Sequence, residues 1–137
     1  MAVHVRFHET LPLRIPEWIS ASMMTLWGWV VLTDLTLFAS SPSFAAMTRF
    51  PQWVWGDVAL FCGLAGLVGL GINGFWRATP FIRAVAAGGR MLMWLAIVLG
   101  MASAMSLSTG LPIYFGLVAL ECWNIYRAMG DARIAMR

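Results

Sequence analysis

Four long apolar stretches, Trp18–Phe38, Trp53–Phe75, Met91–Ser108 and Ile113–Tyr126, alternate with shorter polar or charged connectors along this chain. A helix rises ~1.5 Å per residue and a hydrocarbon core is ~30 Å thick, so the first two stretches are long enough to cross a bilayer and the third is adequate. The fourth is short by itself and reaches span length when drawn from Pro112 to Met129. The pattern predicts an all-α integral membrane protein with four transmembrane helices at about 18–38, 53–75, 91–108 and 112–129, paired as two helical hairpins. Residues 1–137 form a single membrane domain, with an arm over 1–15 and a tail over 130–137 outside the bilayer.

The punctuation agrees with these boundaries. Pro16, Pro51 and Pro112 stand at or just before the start of a span, where a first helical turn accepts a residue without an N–H. Ser41-Pro42 and Thr79-Pro80 resemble an N-cap and helix start, predicting short helices through Phe44 and Met47 and through Phe81, Ile82 and Val85. Gly88-Gly89 should stop the second of these, and Gly130 should stop the last span. Val3, Val5 and Phe7 alternate in the arm, which reads as extended and solvated rather than helical. Trp18, Trp53, Trp55, Phe75 and Trp76 mark the expected interfacial belts. The first stretch is long for a cleaved signal and is interrupted by Asp34, so it is read as a retained span.

Charge then orients the chain. All nine basic residues are arginine, and eight of them lie before the first stretch (Arg6, Arg14), between the second and third (Arg77, Arg83, Arg90), or after the fourth (Arg127, Arg133, Arg137). Arg49 alone occupies the other connectors. This bias places both termini in the cytoplasm, with a bacterial inner membrane as the expected location. Composition supports the same solvent: 61% of residues are hydrophobic and 11% charged, against about 25% charged in a soluble domain. The net charge of +3 is scattered over membrane-proximal segments, so the lipid bilayer and no nucleic acid is the expected partner of the arginines.

No cofactor or metal is expected. The only histidines, His4 and His8, lie in the arm, outside any span where they could ligate haem. Cys62 and Cys122 sit within apolar stretches without metal-site spacing and read as small buried hydrophobes. With no nucleophile–base pair and no phosphate loop, no catalytic residue is assigned and an enzyme is not expected.

Intramembrane acids are the chemical lead. Asp34 and Asp57 fall ~6 Å inside the outer ends of the first two spans, and Glu121 ~12 Å inside the fourth. With positive charge concentrated on the inner side, Arg49 is the only arginine expected near them, so these three acids require protonation, a water-filled cavity or a partner's cation. Asn124, one turn beyond Glu121, is placed to donate a hydrogen bond to it.

Packing surfaces are the second lead. Ala96, Gly100, Ala104 and Ser108 recur at every fourth position of the third span, and Gly63 and Gly69 lie on two faces of the second. Such spacing lets helix backbones approach closely in lipid. The function expected from these features is a small polytopic membrane protein that self-associates, forming a pore or lesion in the manner of a phage holin. The alternatives are an accessory or assembly subunit bound to a membrane-protein partner, and a dimeric proton-coupled transporter with Glu121 as carrier. Small four-helix multidrug exporters carry their essential glutamate in the first span; here that span holds Asp34 instead, and no residue is assigned by likeness to them.

Overall fold

Backbone continuity across the charged connectors distinguishes the fold from its sequence outline. The computed structural model describes residues 2–73, 76, 78–104 and 108–136, with side chains described from residue 13 onward. The chain is helical: α1 spans Ala2–Thr33, α2 Leu37–Ser40, a 3-10 helix Pro42–Arg49, α3 Gln52–Gly71, α4 Thr79–Ser103 and α5 Gly110–Ala135. No strand occurs among the described residues. Among the described residues, two helices, α3 and α4, are long and apolar enough to cross a membrane by length and composition.

Several boundaries differ from the sequence reading; the first apolar stretch is not one helix to Phe38, because α1 ends at Thr33 and a turn over 34–36 separates it from α2. The arm is not extended, because α1 is already helical from Ala2; extending a formed helix costs little once its nucleus exists. No helix stops at Gly88-Gly89. Instead α4 starts at Thr79, with Pro80 in its first turn, and runs through both glycines. Gly89 serves contact here, since a Cβ on it would lie 2.7 Å from the Cys62 sulfur. Likewise α5 passes Gly130 and ends at Ala135. Ser41-Pro42 does open a helix carrying Phe44 and Met47 inward, as expected.

The four long helices pack in a ring, α1 on α3, α3 on α4, α4 on α5, and α5 closing against α1. The α1–α3 crossing is close because it is built from glycine. A Cβ on Gly28 would stand 2.6 Å from the Leu60 amide nitrogen, and one on Gly63 would collide with the Thr25 backbone and hydroxyl. Around the rim, Gln52 ties the end of α1 to the start of α3. Its Nε2 donates to the Val31 and Asp34 carbonyls at 2.7 and 2.5 Å, while its Oε1 accepts from the Phe38 amide at 3.0 Å. The 3-10 helix folds over this end, with Phe44 stacked on Phe38 at 5.1 Å and the Trp55 indole donating to the Met47 carbonyl at 2.9 Å.

Polarity is distributed inside out. The bundle surface carries exposed Leu26, Trp29, Phe61, Val85, Leu92, Leu99, Phe115 and Tyr126, whereas Glu17, Ser20, Arg83, Arg90, Glu121 and Asn124 are buried. Within the bundle, the half nearer the α2 cap is filled by Met24, Val31, Met93, Trp94, Ile97, Met101 and Leu117. The buried charges occupy the other half.

Candidate functional site

Two ion-paired layers lie across the bundle. The first is near the start of α4. Arg83, four residues into that helix and so ~6 Å along it, presents its guanidinium fork to Glu17 of α1. Nε donates to Oε2 at 2.8 Å and Nη2 to Oε1 at 2.5 Å. Its remaining nitrogen, Nη1, donates to Asp131 of α5 at 2.9 Å and to the Asn73 side-chain oxygen at 3.3 Å. Arg14 reaches the same Asp131 oxygen at 3.3 Å, and Arg127 donates to the Leu13 carbonyl. Burial, and then the like charge of Arg83, lower the Arg14 pKa, while Asp131 and Glu17 oppose them; a guanidinium so placed stays charged. Two cations thus face two anions, and three helices are tied together.

The second layer is two turns further. Arg90 lies ~16 Å along α4, and its fork meets Glu121 with Nε on Oε1 at 2.6 Å and Nη2 on Oε2 at 2.9 Å. Glu121 is 0% exposed and Arg90 2%. The Asn124 amide donates to Glu121 Oε2 at 3.1 Å, as the sequence predicts, and also to the Ser20 hydroxyl at 3.0 Å. Ser20 donates in turn to the Glu17 backbone carbonyl at 3.2 Å, so the two layers stack as one polar column on consecutive turns of α1. Glycine makes room: a Cβ on Gly66 would collide with Arg90 Nη1, and one on Gly69 would press on the Arg83 stem at 3.2 Å. Arg90 Nη1 and Asn124 Oδ1 have no partner among the described residues.

These contacts correct the expectation that Glu121 lacks a cation. Arg90 belongs to a helix interior, not a connector, because α4 begins before it at Thr79. Pairing with a carboxylate and burial between helices offset part of the cost that excludes a lone guanidinium from lipid. Asp34 makes no ion pair among the described residues. It is exposed, and its Oδ1 accepts from the Thr36 amide at 3.1 Å and hydroxyl at 2.8 Å, a local turn that follows α1. Asp57 is exposed on α3 and makes no ion pair among the described residues, and Arg49 reaches neither acid. The three acids are therefore not brought together.

The packing candidates also separate. Gly63 meets α1, Gly69 meets Arg83, and Gly100 meets the Met47 side chain, where a Cβ would lie 3.1 Å from its Cγ. Ala96 and Ala104 are half-buried, but α4 ends at Ser103. Ser108 lies beyond it, accepting from the Gly110 amide at 3.2 Å, so the four small residues do not share one helical face. Cys62 is half-buried, whereas Cys122 is exposed and contacts the Met91 sulfur at 3.5 Å, contrary to a buried role.

Sequence reasoning missed Arg14, Glu17, Ser20, Asn73, Arg83, Arg90 and Asp131. One signal was available: Arg83 and Arg90 are seven apart, as are Asn124 and Asp131, which puts each pair on one helix face. Among the described residues there is no cluster of metal-ligating side chains. No protein family, curated protein or solved structure matches the chain.

Proposed function

We propose that this chain is an integral membrane protein that crosses the bacterial inner membrane four times, with both termini cytoplasmic, and serves as a non-enzymatic subunit of a larger membrane assembly. The inside-out distribution of polarity supports the membrane reading: apolar side chains cover the bundle while its charges are paired within. In this orientation the Arg83 layer lies at the cytoplasmic side, the Arg90–Glu121 pair near mid-membrane, and the α2 cap outside.

The observation that carries the subunit reading is Asp57. It stands exposed on α3 between Trp53 and Phe61, one turn away on either side, and these are 58% and 74% exposed. A carboxylate on an apolar face, without a cation in its own chain among the described residues, fits a basic residue on a neighbouring protein's helix. Of the features that favoured a pore or a carrier, Gly63, Gly69 and Gly100 meet Thr25, Arg83 and Met47 of the same protomer, and Glu121 is held by Arg90.

Purification in mild detergent of the tagged protein at native abundance tests this. A stoichiometric membrane-protein partner is expected, lost with Asp57→Asn and retained with Asp57→Glu. Recovery of the chain alone or only with copies of itself would remove the reading. So would rapid depolarisation of cells on induced expression, the behaviour of a lesion-forming protein.

A further inference from the structure

On the apolar side of the polar column, a groove of about 390 Å³ opens between α1 and α5. Its walls include Leu26, Val30 and Ile113, which are 64%, 49% and 60% exposed, so it faces outward from the bundle. Trp94 of α4 also lines it and is 1% exposed, which makes it the floor. Trp27 meets this indole edge-on at 6.2 Å between centroids, and Tyr114 stacks on it at 5.6 Å. The Trp94 Nε1–H is buried with no acceptor among the described residues. A buried donor left unpaired costs free energy that an incoming acceptor would recover.

We infer that this groove binds a lipid-soluble ring bearing a carbonyl oxygen, the chemistry of a membrane quinone, which displaces the Tyr114 ring covering Trp94 so that the carbonyl accepts from the buried indole. The volume lies in the range of small-molecule sites, and Trp27 and Tyr114, both half-buried in its wall, offer aromatic surface to a flat ring. Depth argues against a phospholipid ester as the acceptor. Trp94 is nine residues from Ser103, hence ~14 Å inside the end of α4, whereas ester groups lie at the edge of a hydrocarbon core ~30 Å thick. A quinone head can enter that depth from the bilayer interior. The inference rests on the membrane-spanning reading but not on the subunit reading, since a lone protomer carries the whole groove.

Equilibrium binding of decylubiquinone to the full chain in nanodiscs, with empty nanodiscs subtracted, tests it. Saturable binding near one ligand per protomer is expected. Ile113→Trp, at an exposed wall position, should weaken binding at least tenfold by filling the groove, while Leu99→Trp on the outer face of α4 should leave it unchanged. Trp94→Phe, which removes the donor and keeps a ring, should weaken it about fivefold. Non-saturable partitioning, wild-type affinity in Ile113→Trp, or a co-purified phospholipid that decylubiquinone cannot displace would each overturn the assignment. Because Ile113→Trp leaves the buried core intact, the result stands even where Trp94→Phe unfolds.

Discussion

Glu121 and Arg90 show how context sets the behaviour of a charged residue. A buried ion pair contributes little net stability against well-packed apolar side chains, but removing one partner strands the other charge. Glu121→Gln is therefore expected to destabilise the bundle by about 3–5 kcal/mol. The double variant Arg90→Met with Glu121→Met should recover most of that loss. Unfolding of the single and double variants in matched detergent checks both, and a Glu121→Gln protein as stable as the unaltered one would mean that Arg90 is satisfied elsewhere. Asp34 belongs to the opposite class. Its hydrogen bonds are local and exposed, so Asp34→Ala should cost only about 1 kcal/mol in the same assay. Glu121 was legible in the sequence as an acid needing explanation, and Asn124 as its neighbour. Its cation was not, because Arg90 reads as a boundary residue until α4 is known to begin at Thr79.

Helices α1 and α3 meet through glycines, and here the sequence signal was partly readable. Gly63 was identified as a contact residue, but Gly28, Gly56 and Gly66 were not, and the partner of each depends on how the helices cross. Substitution separates contact glycines from idle ones. Gly63→Leu has to displace Thr25 backbone and should separate α1 from α3, read as loss of the folded species in thermal unfolding. Gly116→Ala meets nothing within 4 Å and should be neutral or stabilising by up to about 1 kcal/mol, since alanine is the better helix former. Equal effects of the two would show that the close crossing is not a stability determinant. The stripe from Ala96 to Ser108 illustrates the converse: regular spacing implies a common face only while the helix continues, and α4 stops at Ser103.

At the scale of the molecule, the bundle has a polar half and an apolar half along its axis. The charges of the first layer cancel, Arg14 and Arg83 against Glu17 and Asp131, as do Arg90 and Glu121 in the second. Arginines counted as topology signals are thus partly structural, and orientation rests more on Arg127, Arg133 and the arginines outside the described side chains. The proposed orientation predicts that, in a cysteine-free background, Thr48→Cys in the cap reacts with a membrane-impermeant thiol reagent in intact spheroplasts. Arg133→Cys should react only after lysis. Labelling in the reverse order would invert the protein.

Hydropathy summed along the chain was enough to predict helices and the approximate placement of the apolar segments, because each of these depends on neighbours within a few turns. Which charges meet was decided only by tertiary structure. Glu17 and Arg83 are 66 positions apart and Arg90 and Glu121 are 31 apart, so each pair exists only at one register of three packed helices. An arginine at the edge of an apolar run is indistinguishable from a membrane-surface anchor until its helix is placed beside a carboxylate. That placement, and the glycines that leave space for it, turned an apparent boundary into a buried ion pair.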